Sequence, residues 1–179
     1  MAKKKTNQKN LIFNIVIIAL AVLTICTLFM PVFVQNTIAT KEVVFTAKGL
    51  DVFEGLLIEE LSKDMSKGAA AIYALRVAEE TAFITHVFGW LYILTVVMSL
   101  VSVCCIGLKY KKVNKIISIV LMALAVLTFI FAISVAAQWT AVETLLGKEV
   151  GFKGLIQVGI YMLIATLVQG GIQFYLNRK

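Results

Sequence analysis

Four stretches of this chain, residues 11–34, 83–108, 116–137 and 154–176, each run for more than twenty residues without one Asp, Glu, Lys or Arg. A helix rises about 1.5 Å per residue, so roughly 20 apolar residues cross a hydrocarbon core of ~30 Å. In lipid every backbone amide must be bonded inside its own helix or in a closed barrel, and these runs lack the alternation of barrel strands. The pattern predicts an all-α integral membrane protein, a bundle of four spanning helices. Composition agrees, with 60% of the 179 residues hydrophobic and 15% charged. Soluble chains carry about 45–50% and about 25%. A soluble domain of this size could not hide so much apolar surface. One Pro and three Cys exclude collagen-like, proline-rich disordered and disulfide-stapled secreted chains.

The net charge of +7 is distributed in a way that excludes nucleic-acid binding. Ten cations have no acid among them: Lys3, Lys4, Lys5 and Lys9, then Lys109, Lys111, Lys112 and Lys115, then Arg178 and Lys179. The other seven share their segments with all ten acids. Uncompensated charge thus sits in short tracts beside apolar runs, as in membrane orientation, and not on one folded face. If each run crosses, residues 1–10, 109–115 and 177–179 share one side, which the positive-inside rule places in the cytoplasm. Residues 35–82 and 138–153 form a long and a short outer loop. The first run could alternatively serve as a cleaved leader, with Lys3–Lys5 ahead of it and a loose small-residue match at Thr37-Ile38-Ala39. Its apolar stretch far exceeds the ~7–15 residues of a leader core, so a retained span is expected.

An internal repeat is visible. Residues 10–24 (NLIFNIVIIALAVLT) and 114–128 (NKIISIVLMALAVLT) agree at ten of fifteen positions. The outer loops echo it, VFEGLLIEEL at 52–61 against AVETLLGKEV at 141–150, with four identities in ten. Convergent apolar filler would give a weaker match, so the expected architecture is two parallel helix–loop–helix repeats about an axis along the membrane normal.

The long loop carries a candidate binding surface. Residues 42–46 (EVVFT) are β-branched and aromatic and read as extended. Beyond Gly49, the residues Leu50, Phe53, Leu57 and Leu61 recur at helical spacing, and Asp51, Glu54, Glu59, Glu60 and Asp64 fill most of the gaps. That is an amphipathic acidic helix, which would build a small extracytoplasmic cap. Its acids argue against tight binding to anionic lipid. Two uses are open: the apolar row packs on the protein's own span ends, or it meets a partner. Residues 69–82 contain no breaker, so the second span should project above the membrane. Trp139 is placed as an interfacial anchor, and Pro31 should end or kink span 1.

The order of parts resembles the claudin-like tetraspan layout, although the first loop holds none of the Trp and Cys of the claudin pattern. FTAKGLDVFEGL (residues 45–56) is similar to the stretch after the first span in small uncharacterised four-span proteins of Gram-positive bacteria, with Ala47 and Lys48 inserted. That resemblance implies a fold and a bacterial plasma membrane and no activity. Fifteen Lys against two Arg, and the absence of any Asn-x-Ser/Thr acceptor, point the same way.

No catalytic, cofactor-binding or metal-ligating constellation emerges. His86 is the single histidine and reads either as an interfacial side chain or as a proton sensor, since a metal site needs three or four ligands. Cys26 and the pair Cys104 and Cys105 lie at opposite membrane depths and cannot bridge. The spans lack the buried charges of ion-coupled transporters. Their mild polarity includes Thr95 and Ser99, Thr166 and Gly170 as small-xxx-small pairs, and Gln169 and Gln173 one turn apart. The two glutamines serve either as interhelical glue or as a stripe facing a partner. The expected function is a non-enzymatic accessory or scaffold subunit, embedded in the bilayer, that contacts a membrane or extracytoplasmic protein or another copy of itself. A membrane immunity protein against a toxin and a small transporter or channel subunit are the alternatives.

Overall fold

A computed structural model describes residues 2–36, 43–48, 69–107, 110–146, 149–151 and 153–178. Its elements are α1 (Ala2–Cys26), a 3-10 turn (Thr27–Phe29), β1 (Pro31–Asn36), β2 (Val43–Lys48), α2 (Ala69–Cys104), a second 3-10 turn (Cys105–Gly107), α3 (Lys111–Leu146), β3 (Glu149–Gly151) and α4 (Lys153–Leu176). Four helical segments are long and apolar enough to cross a membrane: Asn10–Phe29, which takes in α1 and the 3-10 turn after it, Phe83–Cys104, Lys111–Gln138 and Leu155–Leu176. These segments are rich in Ile and Val, which are stiff at χ1 and favour strands in water. In an apolar medium the helix prevails, because it alone satisfies the backbone locally.

Span 1 ends earlier than its hydropathy. The apolar run continues to Val34, yet the α-helix stops at Cys26 and residues 31–36 form a strand. Proline is the cause. Its ring excludes the helical conformation from the preceding residue, and Met30 is extended, at φ −78° and ψ 145°, with its N–H donated to Thr27 O at 3.2 Å. Pro31 also lacks an N–H, which is tolerated at the first position of a strand. The small sheet that follows is absent from the all-α expectation. Its order is β2-β1-β3, both pairings antiparallel. Val34 faces Thr46 on one side and Gly151 on the other. The extended reading of 42–46 falls largely on β2, at Val43–Lys48.

Two further boundaries differ from the apolar runs. Helix α2 is continuous for 36 residues from Ala69, about 54 Å at the helical rise and well beyond a hydrocarbon core. Helix α3 continues into the expected short loop (138–153) as far as Leu146, because nothing from Gln138 to Leu146 breaks a helix. The side chain of Trp139 lies outside the described residues.

The helices form a ring in which α1 lies beside α4 and α2, and α3 beside α2 and α4. The buried positions recur every three or four residues: Asn114, Ser118, Leu121, Ala125, Thr128, Ala132 and Val135 on α3, and Thr85, Phe88, Tyr92, Thr95, Ser99 and Ser102 on α2. That spacing is a heptad seam, the geometry of left-handed bundles. Its chemistry is inverted relative to a soluble bundle. Thr24, Thr27, Thr95, Ser99, Thr128 and Gln169 are fully buried, whereas Leu11, Ile12, Ile15, Leu94, Ile130 and Ile164 are exposed. In water that exchange would be costly on both counts. Against lipid tails it would cost little, since small and polar side chains pack the seam and the exposed apolar ones suit a hydrocarbon medium.

Candidate functional site

Polar side chains from three helices meet on the bundle interior. Ser99 and Ser102 are three apart on α2 and share a face; Gln169 and Gln173 are four apart on α4 and share one too. The two faces meet across the ring. Ser99 Oγ donates to Gln169 Oε1 at 2.8 Å, and Gln169 Nε2 donates to Ser99 O at 3.0 Å and to Ser102 Oγ at 3.2 Å. Ser102 Oγ in turn donates to Gln173 Oε1, and Gln173 Nε2 donates to Ser102 O at 3.2 Å. Gln169 is fully buried and Gln173 is 2% exposed. Each carboxamide therefore uses both its oxygen and its nitrogen, as a buried polar group must if it is not to destabilise the fold.

One helical turn further from the basic end, the hydroxyls of Thr95 and Thr128 bond each other at 2.9 Å, joining α2 to α3. Higher still, Tyr92 Oη donates to Thr27 Oγ1 at 2.8 Å, and Thr27 Oγ1 donates to Thr24 O at 2.6 Å. This ladder ties the 3-10 turn after α1 to α2. Tyr92 is also stacked on Phe88, with centroids 5.7 Å apart and planes 9° from parallel. The polar spine is thus a set of rungs between helices, on neighbouring and diagonal pairs alike.

The small-residue pairs expected from sequence divide between neighbours. Thr95 faces α3 and Ser99 faces α4. Thr166 is buried and donates to Met162 O of its own helix at 2.6 Å. Gly170 marks the close approach of α4 to α3: a Cβ there would lie 2.6 Å from Met122 Cγ and 3.0 Å from Ser118 O. The cap candidates Leu50, Phe53, Glu54, Leu57, Glu59, Glu60, Leu61 and Asp64 lie outside the described residues. His86, Cys26 and Cys104 are exposed and Cys105 is buried. Among the described residues no group of three or more His, Cys, Asp or Glu converges.

A second polar feature lies at the basic end. A cavity of about 190 Å³ opens between Asn10, Asn14 and Ile17 of α1, Ile106 of the second 3-10 turn, Asn114 of α3, and Gln173, Leu176 and Asn177 at the end of α4. Five of its eight lining side chains are carboxamides. Gln173 belongs to both features, so the cavity abuts the spine. Asn177 Nδ2 donates to Gln173 O at 2.7 Å, capping the last turn of α4. Lys115 Nζ lies 4.9 Å from the centre of the Phe174 ring, a cation–π contact between α3 and α4.

Sequence inspection missed the cavity, because its carboxamides come from three separate helices. The spine left a fainter signal: the positions 85, 92, 95, 99 and 102 place Thr, Tyr, Thr, Ser and Ser on one heptad face of an otherwise apolar run. No protein-family profile, curated protein or solved structure matches the chain.

Proposed function

We propose that this chain is a non-enzymatic four-span membrane subunit, an accessory or scaffold protein that works through protein contacts. The observation that carries the reading is the spine. Ser99, Ser102, Gln169 and Gln173 are bonded to one another across the bundle, which makes them a device for holding helices in register. A rigid frame of that kind suits a protein whose recognition happens at its ends. The sheet supports the same reading, since β1 links the loop between α1 and α2 to the loop between α3 and α4. The acidic segment 49–68 follows β2 and precedes α2 in the chain.

The finer architecture belongs to the proposal. Two parallel repeats are supported by equivalent burial: Ile17, Ala21 and Thr24 correspond to Leu121, Ala125 and Thr128, and all six are at most 2% exposed. Thr24 and Thr128 even make the same bond, to Leu20 O at 2.9 Å and to Leu124 O at 2.8 Å. The basic clusters place both termini in the cytoplasm of a plasma membrane, with the sheet outside. Impermeant labelling of single cysteines in intact cells tests this: position 63 should label and position 111 should not.

Binding is tested by the triple substitution Glu59→Gln, Glu60→Gln and Asp64→Asn. Charges on a solvated face change stability by less than ~0.5 kcal/mol, so insertion should persist. Recovery of a co-purifying partner should fall, and the difference from the parent should narrow as salt rises. An unchanged yield refutes electrostatic recognition by the cap.

A further inference from the structure

The cavity at the basic end is not needed to explain a scaffold. We propose that it is a binding site for a phosphoglycerol group. The site lies at headgroup level, because Asn10 begins one membrane-length segment and Leu176 ends another. Its lining offers the carboxamides of Asn10, Asn14, Asn114 and Asn177 beside Gln173, which is committed to Ser102, and a carboxamide both donates and accepts. A bare anion uses donors only. A guest that carries hydroxyls beside its phosphate uses both kinds of group, which favours phosphoglycerol over an inorganic ion.

The charge at this end of the bundle favours an anionic guest. Lys9 adjoins Asn10 in the chain, Lys115 adjoins Asn114 and Arg178 adjoins Asn177, while Lys111 is one turn before Asn114. Among the described residues the acids are remote. Glu80 is 24 residues from Cys104 along α2 and Glu143 is 29 from Asn114 along α3, distances of about 36 and 43 Å. Among the described residues no charged side chain lines the cavity, so an anion in it would meet amide N–H groups, with the basic tracts at the same end of the bundle supplying a positive field and not direct contacts. Charge-assisted bonds of this type are about twice as strong as neutral ones, and basic pockets between spans are a recurring way to hold anionic headgroups. Size agrees as well. At about 190 Å³ the cavity is smaller than the ~300–1,000 Å³ pockets of drug-sized ligands and suits a single headgroup.

Two sources could supply the group: the headgroup of phosphatidylglycerol or free glycerol phosphate. Native mass spectrometry of the full chain in an uncharged detergent separates them. Three probes are used: phosphatidylglycerol, phosphatidylcholine with matched acyl chains, and glycerol 3-phosphate. Retention of phosphatidylglycerol about tenfold above phosphatidylcholine, the scale of one hydrogen bond to a charged group, supports the site with lipid as its source. Binding of glycerol 3-phosphate with no lipid preference supports it with a soluble source. Asn14→Leu should abolish whichever preference is seen while helicity and elution stay unchanged. If that variant aggregates, Asn10→Leu at the rim provides the same readout. Equal retention of the two lipids without glycerol 3-phosphate binding overturns the proposal. So does a preference that survives the substitution in a folded variant.

Discussion

Replacing Gln169 by Leu tests the physical basis of the spine. The change removes three hydrogen bonds, to Ser99 Oγ at 2.8 Å, to Ser99 O at 3.0 Å and to Ser102 Oγ at 3.2 Å. Hydrogen bonds between helices in a bilayer average about 0.6 kcal/mol each, so the loss is bounded near 2 kcal/mol. Part of it is recovered. The Ser99 carbonyl keeps its place in the α2 backbone ladder, the Ser102 hydroxyl keeps its bond to Gln173, and the freed Ser99 hydroxyl can turn to a carbonyl of its own helix, as Thr95 does toward Leu91 O. The net expectation is a destabilisation of about 1 kcal/mol. Leucine returns nothing by burial, because lipid tails are as apolar as the bundle interior. The sign is diagnostic, since in a water-soluble bundle an apolar replacement at a buried polar site of similar shape is often neutral or stabilising. Unfolding in mixed micelles, followed by far-UV circular dichroism, measures the difference. A double-mutant cycle with Ser99→Ala should give a coupling of at least ~0.5 kcal/mol. Stabilisation by Gln169→Leu, or a coupling of zero, would refute the reasoning.

Two adjacent glycines should respond in opposite directions. Gly170→Ala drives a methyl against Met122 and Ser118 O and should cost about 1–3 kcal/mol by overpacking. Gly171→Ala meets nothing within 4 Å and should gain up to ~1 kcal/mol of helix propensity, both read in the same micelle titration. Tyr92→Phe removes the 2.8 Å bond to Thr27. It should cost about 0.5–1.5 kcal/mol, and the loss should be less than additive with Thr27→Val, which removes the same bond together with that to Thr24 O. Cysteines at positions 34 and 151, paired across β1 and β3, should have Cα atoms about 4.5–5.5 Å apart, within disulfide range. With Cys26, Cys104 and Cys105 replaced by Ala, mild oxidation should give an intramolecular bridge seen as a mobility shift, and failure to form it counts against the β1–β3 pairing.

What could be read without coordinates was whatever depends on local chemistry. Four uncharged runs dictate four long helices because a backbone out of water must close its own hydrogen bonds. Pro31 announced the end of the first helix, since a ring without an N–H acts on its immediate neighbours. The absence of any breaker between Ala69 and Ala82 announced the long start of α2. The EVVFT stretch announced a strand through its β-branched residues, although not its partners, which lie on both sides of β1 in separate loops.

Tertiary structure decided which polar residues meet. Ser99 and Gln169 are 70 residues apart, and nothing in either run states that the α2 and α4 faces point at each other across the ring. Thr166 and Gln169 look alike in sequence as mild polar breaks in one span. Yet Thr166 can satisfy its hydroxyl on Met162 O one turn away, whereas the longer glutamine reaches across the bundle to Ser99 and Ser102. The cavity is further from view, because Asn10, Asn14, Asn114, Gln173 and Asn177 converge only once three helix ends come together. Helix formation is local and therefore written in each run. The meeting of carboxamides depends on helix register and rotation, which are set by how every seam packs at once.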